Sequence, residues 1–82
     1  MHDFKTRKEL EKDLSQVRKE LREVKENEEK LADKIEKAEN TEELEDAEKE
    51  LEALKEKKEK LKKEYSEIEE KIAEIESKNE KL

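Results

Sequence analysis

Cysteine, glycine, proline and tryptophan are all missing from this chain, and tyrosine and phenylalanine occur once each. Without cysteine there is no disulfide, no thiolate metal site and no cysteine nucleophile, and the compartment stays open on that count. Without glycine there is no phosphate-cradling loop and no EF-hand loop, and zinc-binding motifs are missing as well. No apolar run approaches a membrane span or a signal-peptide core, so a cytoplasmic or otherwise soluble location is expected. Apolar residues are scarce too, at 28% against 60% charged. A compact globular core needs more apolar surface than that to offset chain entropy. The formal net charge of −7 argues against direct binding to nucleic acid or to anionic membranes.

What remains is rich in Glu, Lys, Leu and Ala, the strong helix formers, with both of the poorest helix residues absent. The 82 residues form one domain at most. Such a composition suits either a disordered chain or long helices that each bury one narrow stripe.

Periodicity favours the helices. Apolar residues fall at Leu10, Leu14, Val17, Leu21, Val24, Leu31, Ile35 and Ala38, in alternating steps of four and three broken only at Glu28. The pattern restarts at Leu44 and runs through Ala47, Leu51, Leu54, Leu61, Tyr65, Ile68, Ile72, Ile75 and Leu82, broken at Lys58 and Asn79. This is a heptad repeat with apolar a and d positions. In the first run Leu14 is an a position and Leu10 a d position; in the second Leu44 is a and Ala47 is d.

The two runs are out of phase by two residues. Coiled coils absorb insertions of three or four residues, not two, so the chain is expected to break. Asn40 tolerates the left-handed conformation that ends helices, and Thr41 is a good N-cap with Glu42 and Glu43 behind it. At the other end, Thr6 and Glu9 match a capping box, with Asp3 as an earlier start. Helices are predicted over about 4–39 and 42–81, with the turn at 40–41.

Folding at that turn opposes positions whose numbers add to 82, and an antiparallel pair requires a to face d. Ala38 then meets Leu44, Leu21 meets Leu61, Val17 meets Tyr65 and Leu10 meets Ile72. Only Val24 meets a charged residue, Lys58, while Glu28 meets Leu54. The expected fold is all-α, a two-helix antiparallel coiled-coil hairpin. Two unbroken helices crossing in trans would make the same contacts, and two hairpins could associate into a four-helix bundle. The hairpin is preferred because a short loop holds the helices at high effective concentration.

Most other features have a plain structural reading. The pairs Glu26–Lys30, Asp33–Lys37, Glu45–Lys49, Glu59–Lys63 and Glu67–Lys71 have the spacing that supports exposed helix faces, at about 0.2–0.5 kcal/mol each. Glu28 and Lys58 are polar seam residues, a device that controls register. His2 has no positioned partner, and Ser15 and Ser66 have no histidine nearby, so no general base or nucleophile is assigned. Tyr65 belongs to the seam. Phe4 either caps the open end or anchors a partner. Acids abound, but a two-helix seam has no substrate-sized cavity and nothing apolar to raise a carboxylate pKa. The chain is therefore not expected to be an enzyme, nor to carry a cofactor, metal or small-molecule substrate.

Charge is distributed unevenly. Residues 39–52 hold eight acids (Glu39, Glu42, Glu43, Glu45, Asp46, Glu48, Glu50 and Glu52) against Lys49. Residues 55–63 hold six lysines against Glu56 and Glu59. In the expected register Arg18, Lys25, Lys55 and Lys62 lie at e positions along one edge, facing like charge. Weak surface repulsion is tolerable. The sharper reading is that an acidic surface, from a protein partner or a second hairpin, meets this edge. The candidate interaction surface is thus Glu42, Glu43, Glu45 and Asp46 at the tip, with Arg18, Lys25, Lys55 and Lys62 along the edge.

In periodicity the chain resembles antiparallel coiled-coil arms, such as those of SMC-type proteins and of seryl-tRNA synthetases, although the synthetase arm is expected to be basic. The acidic tip resembles that of Gre-type transcript-cleavage factors, which implies tip roles for Glu42, Glu43 and Asp46, but these residues hold no counterpart of that family's globular domain. The Glu/Lys surfaces, regular seam and Thr-Glu-Glu helix start also resemble a de novo designed hairpin; Glu28, Lys58 and the like-charged edge depart from that pattern. Three readings follow: a non-enzymatic structural or protein-interaction module with an acidic tip, an acidic inhibitor that occupies a partner's basic nucleic-acid-binding surface, or a designed protein without a natural function.

Overall fold

The computed structural model describes residues 5–80, with the side chains of Asn79 and Glu80 excepted. Helix α1 spans Arg7–Lys37 and α2 spans Thr41–Glu80, and the two pack against each other as an antiparallel hairpin. The rod measures 64 × 22 × 15 Å. His2, Asp3, Phe4 and Leu82, and the side chain of Asn79, lie outside the described residues.

Helix α1 starts where the capping box is expected. Thr6 is extended (φ −72°, ψ 162°) and its Oγ1 accepts a hydrogen bond from the Glu9 N–H at 3.2 Å. That satisfies one of the amides left free at a helix start. The Glu9 carboxylate accepts from the Thr6 hydroxyl at 3.3 Å. Thr6→Ala is expected to cost about 1 kcal/mol, read from chemical denaturation. An unchanged midpoint would show that the cap contributes nothing.

The turn differs from the sequence expectation in who performs each role. Helix α1 ends at Lys37 rather than 39, and Ala38, Glu39 and Asn40 form the connection. Ala38 is extended (φ −61°, ψ 128°), with its N–H bonded to the Ile35 carbonyl at 3.4 Å. No described residue has a positive φ, so Asn40 is not a left-handed terminator. It is instead the N-cap of α2. Its Oδ1 accepts from the Glu43 N–H at 2.8 Å, and its carbonyl accepts the first helical bond, from Leu44, at 3.2 Å. Thr41 is therefore the first helical residue, not the cap. Leaving the first helix through extended backbone also explains why the turn works without glycine. Asn40→Ala is expected to destabilise by about 1 kcal/mol, and Asn40→Gly by a few tenths. Equal losses in the two variants would rule out the capping role.

The buried residues are Leu10, Val17, Val24 and Leu31 on α1 and Ala47 and Leu61 on α2. Val17, Val24 and Leu61 form a central cluster, with Leu21, Leu54, Tyr65 and Ile68 packed against it. All six buried residues are d positions in the labelling above. The a positions Leu14, Leu21, Glu28 and Ile35 on α1, and Leu44, Leu51, Lys58, Tyr65 and Ile72 on α2, are half-buried.

Candidate interaction surface

Three contacts between the helices define one side of the seam. Arg18 donates from Nε and Nη2 to the Tyr65 hydroxyl oxygen, at 3.2 and 3.0 Å. Lys58 Nζ lies 3.3 Å from Glu28 Oε1. Arg7 Nη2 lies 2.7 Å from Glu76 Oε1, while Arg7 Nε reaches Glu11 on its own helix at 3.1 Å. Each contact joins an a or e position of one helix to an a or e position of the other. The a and e positions of both helices therefore share one face, and the d and g positions share the opposite one.

The d/g face carries grooves. One is lined by Leu10, Val17 and Ile68 with Asp13, Glu20, Glu64 and Lys71 at its rim. Another is lined by Leu31, Leu54 and Ala53 between Lys34, Glu50 and Lys57. A third lies near the turn among Asp33, Lys34, Lys37, Asp46, Ala47 and Glu50. These are open surface furrows between side chains. Charges of both signs line them, and among the described residues no ion pair within 4 Å crosses the seam on this face.

The a/e face is different. Arg18, Lys25, Lys55 and Lys62 are all exposed. Arg18 is not simply opposed by like charge: beyond its two hydrogen bonds, its guanidinium carbon lies 5.6 Å from the Tyr65 ring centroid. The bond to the phenol oxygen, and then the charge that oxygen can carry, hold the Arg18 pKa above its ordinary value, with a smaller push from Glu69. Lys25, Lys55 and Lys62 have no acid within 4 Å among the described residues.

The tip acids Glu42, Glu43, Glu45 and Asp46 are exposed on the first turns of α2. Glu43 also has a structural task, since its Oε2 accepts from the Glu39 N–H at 3.1 Å. It closes the turn from one side while Asn40 closes it from the other. Asp46 shares the turn groove with Lys34 and Lys37. Those two lysines are brought to the acidic end by the fold, a neighbourhood that the segment 39–52 alone does not reveal. At the open end, Lys5 Nζ lies 2.6 Å from Asp13 Oδ2. That hydrogen bond and the Asp13 charge raise the Lys5 pKa.

Of the five same-helix pairs expected from spacing, Asp33–Lys37 is formed, at 3.1 Å. The others are not within ion-pair distance. A screened charge pair returns only slightly more than the rotamer freedom that long exposed side chains lose to make it. Among the described residues no group of acids or histidines is arranged to hold a metal ion, and no helix is long and apolar enough to cross a membrane.

Comparison with protein-family models, with curated proteins and with solved structures gives no significant match.

Proposed function

We propose that this chain is a non-enzymatic coiled-coil protein-interaction module that works in an aqueous compartment and presents an acidic tip. One observation carries the reading: eight acids are concentrated in residues 39–52, at the turn end of a two-helix rod. Charge that dense attracts a basic surface, and a rod carries it tens of ångströms from whatever holds the open end. The chemistry that recognises such a tip is a lysine- or arginine-rich protein patch.

Titration of isotope-labelled chain with a lysine-rich peptide tests this. Amide shifts are expected in residues 39–52, fading as salt rises. No shift at low salt, or shifts spread evenly over the rod, would sink the reading.

A narrower version is favoured by the same acids together with the net charge of −7. The tip would occupy a basic, nucleic-acid-binding surface by imitating a phosphate backbone. Competition against labelled DNA on a basic DNA-binding domain should then weaken steeply with salt. Salt-insensitive competition would exclude charge mimicry.

A further inference from the structure

The two faces of the seam are closed to different extents. Six d residues are shut away from water while Ala38, Leu54, Ile68 and Ile75 at d are half-buried, whereas no a residue is closed: Leu14, Leu21, Ile35, Leu44, Leu51 and Ile72 are all half-buried. The a/e face thus leaves a stripe of apolar side chains in partial contact with water. A two-helix hairpin has little core to spare, and chains of this size commonly complete their burial by association.

Charge on this same face is divided by height along the rod. Arg18, Lys25, Lys55 and Lys62 occupy e positions at its middle. Nearer the turn, Glu48 holds an e position, with Glu45 and Glu52 at the adjoining b positions and Glu39 in the connection between the helices. All of these side chains are exposed. An isolated hairpin thus carries Lys25, Lys55 and Lys62 at its middle and acids beside its turn with no ion pair within 4 Å among the described residues, both flanking half-buried leucine and isoleucine.

We propose that a second copy of this chain docks on the a/e face, antiparallel to the first, with the acidic turn-side half of each hairpin lying on the basic middle of the other. This deepens the interaction reading above and rests on it, naming the partner for one of the chain's surfaces. A two-fold axis perpendicular to the rod, at the height of Glu28 to Leu31, satisfies both halves at once, because such an interface is self-complementary. Heights follow from the contacts Arg18–Tyr65 and Arg7–Glu76, which level the two helices. In that register Lys62 stands opposite the partner's Glu45 and Glu39, Lys25 opposite the partner's Glu48, and Lys55 opposite the partner's Glu52. Leu21 meets the partner's Leu44. The Glu28–Lys58 pair falls beside the axis, where a polar layer discriminates this register from shifted ones.

The overlap covers about 24 residues of height, or about 35 Å at about 1.5 Å per residue. Leu14 and Ile72 lie beyond it. With a rod of 64 Å the dimer is then about 93 Å long, whereas two unbroken helices crossing in trans would extend to about 120 Å.

Solution mass by sedimentation equilibrium, combined with small-angle scattering, tests the proposal on the full chain. The expected result is a dimer about 93 Å long. The triple variant Lys25→Glu/Lys55→Glu/Lys62→Glu and the triple variant Glu45→Lys/Glu48→Lys/Glu52→Lys should each weaken self-association by at least about 100-fold. Mixing the two should restore a dimer, since an all-acidic face then meets an all-basic one. Circular dichroism of each variant, alone and mixed, separates lost pairing from lost folding. Restoration by mixing shows that a variant unable to fold alone still carries the complementary face. A wild-type chain that stays monomeric at millimolar concentration would overturn the proposal, as would triple variants that dimerise like wild type or a mixture that does not associate. A monomeric chain that still binds the lysine-rich peptide would refute self-docking alone, leaving the tip reading intact.

Discussion

Leu61→Asp is expected to unfold the hairpin at neutral pH and room temperature. Leu61 is 5% exposed and sits in the cluster with Val17 and Val24. Its replacement removes a buried leucine, a loss of about 2–5 kcal/mol by truncation alone. It also places a carboxylate among Val17, Val24 and the apolar residues packed on them, which adds several kcal/mol or forces the group to take up a proton. A domain of this size is stable by roughly 4–12 kcal/mol, taking about 0.05–0.15 kcal/mol per residue. The combined loss is comparable with all of it. Far-UV circular dichroism should show most of the helical signal gone at neutral pH and partly regained in acid, where the new carboxyl is neutral. Leu61→Met keeps volume and polarity and should cost under about 1.5 kcal/mol. If Leu61→Asp melts like wild type, the packing around Leu61 is not what holds the helices together.

The double variant Glu28→Leu/Lys58→Leu should move stability the other way, up by about 1–3 kcal/mol. Glu28 and Lys58 keep only 20% and 36% of their side-chain surface exposed, and their charged atoms are 3.3 Å apart. The attraction is partly cancelled by the water each group gives up, so exchanging the pair for leucines commonly stabilises. At about 4–8 °C per kcal/mol for a chain this small, the melting temperature should rise by about 4–24 °C. Glu28→Leu alone should gain less, because Lys58 keeps its partial burial and loses its partner. A fall in the melting temperature of the double variant would mean that the pair contributes net stability. A second consequence is a loss of specificity. With leucine at both sites the seam no longer disfavours shifted pairings, and mass measurements should reveal a mixture of oligomers instead of one species. A single species of unchanged mass would deny the pair any role in register.

Much of the hairpin is legible in the residues alone. The two-residue phase slip between Ala38 and Leu44 locates the break, and the pairing of seam residues about it anticipates Val17, Leu21, Leu61 and Tyr65 in one cluster. The Thr6–Glu9 cap is equally legible, because both partners lie within a single turn. The roles inside the turn are less so. Asn40 serves equally well as a left-handed terminator and as an N-cap, and only the extended backbone at Ala38 decides for the cap. The candidate surface is legible as composition, in the acids of residues 39–52 and the lysines of 55–63, but its geometry is not. Arg18 was readable as one more cation on a basic edge, whereas in the fold its guanidinium is committed to Tyr65.

By itself the sequence determined the helices, the seam and the place where the chain reverses. Those depend on local propensity and on spacing along one helix, and both are written in residue order. Tertiary structure decided which side of the seam closes. The apolar a and d residues of α1 are alike in pattern, yet Leu10, Val17, Val24 and Leu31 are buried while Leu14, Leu21 and Ile35 stay half-open. That inequality comes from how the second helix lies over the first, a rotation that no spacing along one strand of residues records. It also decided that Glu43 braces the turn, that Lys34 and Lys37 stand near Asp46, and that Glu28 reaches Lys58. Each of these depends on distances across the gap between the helices, which exist only once both are in place.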